Sequence, residues 1–233
     1  MKNTHPLSGK IMTGADIVIQ VLADEKVDTI FGYSGGAILP TYDAVFRYND
    51  KNSNSRKNSP IPLIVPANEQ GAGFMAAGYA RASGKAGVVM VTSGPGATNT
   101  VTPIRDCMAD SVPLVVICGQ VPTAAIGTDA FQEAPVSAIM GAVSKHIFLV
   151  TEPKLLEATI RSAFELAQTG RPGPVVLDIP KDIQNWEGKF LGHGKLPLTG
   201  YRQRLKSVSN NRISQQACER FFSMLENSEK PLI

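Results

Sequence analysis

Acidic side chains are missing from two long stretches of this sequence. None occurs between Asp50 and Glu69, and none between Glu69 and Asp106. Glu69 is thus an isolated carboxylate in apolar surroundings, and a lone acid in such a place needs a partner. Cysteine is scarce as well. Cys107, Cys118 and Cys218 are odd in number, widely spaced and without a CxxC pair, which argues against a disulfide framework or a zinc site and fits a reducing compartment. No apolar run approaches the roughly 18 residues that span a bilayer, and residues 1–10 lack the apolar core of a signal peptide. The net charge of +3 is too small to argue for nucleic acid, and Arg202, Arg204 and Lys206 read as a solvated linker rather than a phosphate-binding stripe. These absences predict a soluble, cytoplasmic protein with neither nucleic acid nor membrane as partner.

What is present suffices for a large core: 43% of the 233 residues are hydrophobic. Short runs dominated by Val, Ile, Leu or Phe occur at 28–32, 62–65, 87–92, 114–118, 146–150 and 175–179 and alternate with helical patterns. This predicts a three-layer α/β/α domain around a six-stranded parallel sheet, over residues 11–185. Thr13 to Asp16 resembles a capping box opening a helix that runs to Asp24. The segment after Pro153 places Leu156, Ile160, Ala163, Phe164 and Ala167 on one helical face and Glu157, Arg161 and Glu165 on the other, with Gly170 closing it. Residues 51–60 read as an exposed loop. From 186 to 211 the apolar periodicity stops, which reads as a linker. Residues 212–233 then begin a second domain with a helix and, at Lys230, a strand. That strand stops mid-element, as in a fragment of something longer.

Three glycine-rich connections lie just past the carboxyl ends of proposed strands, the edge of a parallel sheet where ligands bind. The first is Phe31 to Ala37 (FGYSGGA), where adjacent glycines let backbone amides approach a ligand or simply form a tight turn. The second is the Glu69 segment. Residues 61–68 read as a buried strand, and Gln70 to Tyr79 carry no charge, so the following helix is expected to pack closely on all sides with Glu69 ionised in its first turn. A plain helix-capping glutamate is the competing reading. The third, Thr92 to Asn99 (TSGPGATN), could open a helix and present amides to an anion or a polar ring. Gly71 to Ala76 formally matches a dinucleotide fingerprint, but the acid expected about 20 positions on is missing, so these glycines read as allowing close packing.

Together, FGYSGGAILPTYDA (31–44), ANEQGAGFMAAGYARASGKAGV (67–88), TSGPGATN (92–99), DSVPLVVICGQVPTAAIGTDAFQE (110–133) and TGRPGPVVLDIPKD (169–182) resemble the amino-terminal, pyrimidine-binding domain of thiamine diphosphate enzymes, most closely the acetohydroxyacid (acetolactate) synthase large subunit. Ser34 departs from the pattern, where proline is expected. The resemblance implies that Glu69 hydrogen-bonds the aminopyrimidine ring of thiamine diphosphate and favours the tautomer that activates the cofactor. It also implies that Tyr33, Gly35, Gly36 and Ala37 flank the cofactor, that Gln132 lies near cofactor and substrate, and that Pro122 and Phe131 line the access channel. By the same resemblance Ser111 lies near a retained FAD and Lys145 at a channel position. No metal ligand is expected in this chain, since the magnesium and diphosphate belong to a separate domain. The implied reaction decarboxylates pyruvate and joins the two-carbon unit to pyruvate or 2-oxobutyrate in branched-chain amino-acid synthesis. The implied partners are a second subunit, as homodimer or higher oligomer, and a regulatory small subunit, and the fragment alone is expected to be inactive. A pyruvate oxidase, a glyoxylate carboligase or a non-catalytic interaction module are the alternatives.

Overall fold

The computed structural model describes residues 5–54, 59–209 and 213–231. The chain divides into two compact units, residues 1–196 and 197–233. The first contains, in order, β1 (Ile11–Thr13), α1 (Gly14–Asp24), β2 (Ile30–Tyr33), α2 (Leu39–Asn52), β3 (Leu63–Ile64), α3 (Glu69–Ser83), β4 (Gly87–Val91), α4 (Pro95–Thr98), α5 (Val101–Asp110), β5 (Leu114–Gln120), α6 (Val136–Gly141), β6 (His146–Leu149), α7 (Leu156–Gln168), β7 (Pro174–Pro180), α8 (Lys181–Asn185) and β8 (Glu187–Lys189). The second contains α9 (Thr199–Ser209) and α10 (Gln215–Glu226).

Six strands form one sheet in the order β3-β2-β4-β5-β7-β6, and every neighbouring pair is parallel. Helices α1, α2, α7 and α8 pack on one another on one side, while α3 to α6 cover the other. The central strands are buried on both faces, which is why Val88–Val91, Leu114–Cys118 and Val175–Leu177 read as continuous apolar runs rather than alternating ones. The capping box at the start of α1 is present: the Thr13 hydroxyl accepts from the Asp16 amide at 3.1 Å and donates to its carboxylate at 2.8 Å.

Three expectations need correction. Residues 61–68 do not form a buried strand, because β3 is a two-residue edge strand paired only with β2, and Ile64 and Val65 are exposed. Helix α3 is not enclosed on all sides. Ala72, Gly73, Ala76, Ala77 and Ala80 are buried, but Phe74 and Met75 stand 43% and 46% exposed on its other face. The polar face of α7 is covered: Glu157 and Arg161 are 5% and 8% exposed, tied to Asp24 of α1 and shielded by the segment around Leu191. Finally, the stretch expected as a linker over 186–211 holds regular structure among its described residues. Glu187–Lys189 pairs antiparallel with Ile11–Thr13, and Thr199–Ser209 is helical. Short chain-closing pairings of this kind leave no apolar period to read. The strand expected from Lys230 lies partly outside the described residues, as does the loop expected at 51–60.

Candidate functional site

The sheet reverses its direction of growth between β2 and β4: β3 is added beyond β2, and the chain then crosses back to lay β4 on the other side. The carboxyl ends of β3, β2, β4 and β5 stand side by side and deliver the Glu69 segment, residues 34–38, residues 92–100 and residues 121–135 to one edge. A switch of this kind opens a crevice in parallel sheets.

Glu69 is the first residue of α3, but it does not cap the helix. Asn68 does, its side-chain oxygen accepting from the Gly71 amide at 2.7 Å. The Glu69 carboxylate, half-buried, instead accepts through Oε2 from the Asn99 side-chain amide at 2.9 Å. Oε1 lies 3.5 Å from the place a Cβ on Gly96 would occupy, and no basic side chain among the described residues pairs with Glu69. The nearby Tyr42 phenol donates to the Met90 carbonyl at 3.0 Å, and burial, with a contribution from the Glu69 charge, pushes its pKa upward.

Thr92, at the end of β4, organises the glycine loops around this acid. A Cβ on Gly35 or on Gly96 would meet its side chain at 2.6 Å, and its hydroxyl accepts from the Ala37 amide at 3.3 Å. Gly36 faces open space, and Tyr33 is exposed at the end of β2. The Ala37 carbonyl is held by the Gln184 amide at 2.8 Å, and Gln184, fully buried, also accepts from the Thr41 hydroxyl at 2.8 Å. The close-packing reading of Gly73 agrees with its geometry, since a Cβ there would overlap the Pro103 ring. The anion-cradle reading of 92–99 does not hold. The amides of Gly96, Thr98 and Asn99 donate to Ser93, Gly94 and Pro95 carbonyls, so a four-residue helix has consumed them internally. What this segment offers the site is the Asn99 side chain.

The loop after β5 carries three of the expected residues. Pro122 and Gln132 are exposed, and Phe131 at 89% exposed is not a core residue. The Gln132 backbone has φ +58° and packs on Gly94, where a Cβ would lie 2.3 Å from the Gln132 carbonyl oxygen. Asp182 at the start of α8 accepts from the Thr123 amide at 3.0 Å and also from its hydroxyl. Glu133 folds the loop on itself, accepting from the Gly127 amide and, at 3.1 Å, from that of Ala130. Those bonds, the one from Gly127 first, lower the Glu133 pKa. Its contribution to loop order is therefore present above about pH 4.5, the unfolded value, and lost as pH falls through the lower folded one. Protection of the amides across 127–133, measured against their intrinsic exchange rates, is expected to fall in that acid window, and in Glu133→Ala to be low at all pH.

Ser111 and Lys145 are not brought to Glu69. Ser111 closes α5 in the left-handed region, ahead of β5, and its hydroxyl accepts from Arg171 Nε at 2.9 Å. The Lys145 ammonium, ahead of β6, donates to the carbonyls of Leu166, Thr169 and Arg171, the last two at 2.7 and 2.8 Å. Both lie at the amino ends of the strands, the edge opposite to Glu69. Thr92, Asn99, Gln184 and Glu133 were not singled out from the sequence. Each sits inside a stretch that carried the family resemblance or just beyond one, but nothing local distinguishes it.

Residues 12–140 match the thiamine pyrophosphate enzyme, N-terminal TPP binding domain family. The mitochondrial acetolactate synthase catalytic subunit of Saccharomyces cerevisiae is 54% identical over 172 residues, 74% of this chain and 24% of that protein. The acetolactate synthase large subunit of Corynebacterium glutamicum is 43% identical over 222 residues, 95% of this chain and 33% of that protein. The chloroplastic acetolactate synthase of Arabidopsis thaliana is 41% identical over 226 residues, 94% of this chain and 31% of that protein. The chain thus spans 24% to 33% of the length of these curated relatives.

Proposed function

The chain belongs to the thiamine pyrophosphate enzyme family through its N-terminal TPP binding domain, and from that membership we propose that it is part of an acetolactate-forming enzyme. The whole enzyme would decarboxylate pyruvate and condense the two-carbon unit with a second pyruvate or with 2-oxobutyrate, a step in branched-chain amino-acid synthesis. The observation that carries this reading is the state of Glu69. It is relieved of capping by Asn68, steadied by a neutral amide from Asn99 and unpaired with any basic side chain among the described residues, so Oε1 is available to a ring nitrogen. Thiamine diphosphate, when bound, supplies the nucleophilic carbon for the keto acid. Glu69 would hold and return the proton at the aminopyrimidine nitrogen, where a charge-assisted hydrogen bond is worth roughly 1.5–3 kcal/mol.

Tyr33, Gly35, Gly36 and Ala37 would flank the cofactor. Gln132 would face cofactor and substrate, and Pro122 and Phe131 would line the approach to it. Among the described residues no three His, Cys, Asp or Glu side chains gather to hold a metal ion; the magnesium would be held with the diphosphate by a separate domain. Roles for Ser111 beside FAD and for Lys145 in the channel need parts of the whole enzyme beyond this chain. Leu39, Phe46, Ile64, Val65, Phe74 and Met75 are exposed on α2, on α3 and around β3, the elements flanking Glu69. An apolar face of this kind suits burial against a second copy, as in a homodimer or higher oligomer. A regulatory small subunit is a further proposed partner. No helix among the described residues is long and apolar enough to cross a membrane. The test is direct: the whole protein, supplied with pyruvate, thiamine diphosphate, Mg2+ and FAD, forms acetolactate, and formation stops when thiamine diphosphate is withheld. Pyruvate consumed without acetolactate would reject the reading.

A further inference from the structure

Asp178, in the middle of β7, is 1% exposed. It stands in register with Cys118 of β5, which belongs to the apolar cluster beneath α3 to α6. Its Oδ2 accepts from the Gln120 side-chain amide at 3.1 Å, and Oδ1 has no hydrogen-bond partner among the described residues. Gln120 is also buried, and its own amide oxygen accepts from the Val121 N–H at 2.8 Å. The Gln120 side chain is therefore fixed at both ends: its nitrogen points to Asp178 and its oxygen to the first residue of the loop that carries Pro122, Phe131 and Gln132.

We propose that Asp178 is a positioning residue which, through the side-chain amide of Gln120, pins the root of the 121–133 loop to the end of β5. A chain built only for stability would place an apolar residue in such a spot, since a buried polar atom without a partner is destabilising. No cation offsets the carboxyl: burial raises its pKa to about 7, opposed only by the Gln120 amide. The elements packed on β7 carry Cys118 (β5), His146 (β6), Arg105, Asp106, Cys107 and Asp110 (α5), Glu157, Arg161 and Glu165 (α7), and Lys181 and Asp182 (α8), while α6 carries no titratable group. Of these, the Cys118 thiol is pushed up first by burial and then by the Asp178 charge. Below about pH 7 Asp178 is thus an uncharged acid, able to receive the Gln120 amide without a counter-ion. Only its effect on turnover rests on reading the 121–133 loop as an access channel.

The test compares the wild-type whole protein with Asp178→Asn and Asp178→Val, by amide exchange at residues 121–124 and by infrared spectroscopy of the carboxyl. At about pH 6, a pH unit below the titration, the wild type is expected to show a protonated carboxylic-acid band that Asp178→Asn lacks. At that pH the loop root should be equally protected in both, and about tenfold less protected in Asp178→Val, the loss of one net hydrogen bond. At about pH 8 the wild type should lose protection relative to Asp178→Asn, a divergence that a merely space-filling role would not produce. Absence of the acid band, or identical exchange in the Asn and Val variants, overturns the proposal. Acetolactate formation is scored separately, so that its failure with the band and exchange pattern intact rejects the proposed function alone, and the converse rejects only the positioning role.

Discussion

Replacing Glu69 with glutamine is expected to slow acetolactate formation by the whole protein about 100-fold or more, while thiamine diphosphate affinity changes much less. Glutamine preserves the length of the side chain and the oxygen that accepts from Asn99, so the segment around α3 keeps its geometry. What it cannot do is take up and return a proton, and acid-base steps of this kind contribute typically 10²–10⁴-fold. The substitution therefore separates chemistry from placement. Turnover measured at saturating cofactor, alongside a cofactor-binding titration, decides between them. A variant with undiminished turnover would mean that the carboxylate serves only to orient Asn99. Loss of cofactor binding with unchanged turnover at saturation would make Glu69 a binding group alone.

Replacing Arg161 with alanine is expected to lower the stability of the first unit by about 3–5 kcal/mol, the cost of leaving buried charges without their partner. The guanidinium reaches Asp24 at 2.6 Å, Glu157 at 3.0 Å and Glu25 at 3.6 Å from a position 8% exposed. Burial alone would lower its pKa, but its hydrogen bonds with Asp24 and Glu157 outweigh this and hold it above the ordinary value. Two of its partners have other roles that depend on this charge. Glu157 accepts from the Leu191 amide at 2.9 Å, and Asp24 takes bonds from His5 and Gln20. Without Arg161 the segment after β8 and the residues before β1 lose their shared anchor. Urea unfolding of the wild type and variant measures the loss. Converting Arg161, Glu157 and Asp24 together to apolar residues should recover part of it, because only the more exposed Glu25 would then be left without this cation. A change within 1 kcal/mol for the single variant would show that water reaches these acids freely.

The parallel sheet was legible because its central strands are buried on both faces and so appear as unbroken apolar runs. The helix α1 was legible because Thr13 and Asp16 signal its start within four residues. Glu69 stood out by isolation. Its partner did not, since Asn99 lies 30 positions away and an amide in a glycine-rich stretch carries no mark of what it will touch. The same holds for Arg161, which the helical pattern placed on the polar face of α7 without showing what covers it. The cover comes from residues around 191, brought there by a three-residue strand too short to leave a pattern.

By itself the sequence determined the α/β class, the positions of the six main strands and the isolated acid past the second of them, because these depend on local periodicity and composition. Only the tertiary structure decided which residues share the edge with Glu69, that Ser111 and Lys145 lie at the opposite one, and that Asp178 is buried beneath it. Strand order sets those distances, and strand order follows from packing between segments far apart in the chain, which no local pattern encodes.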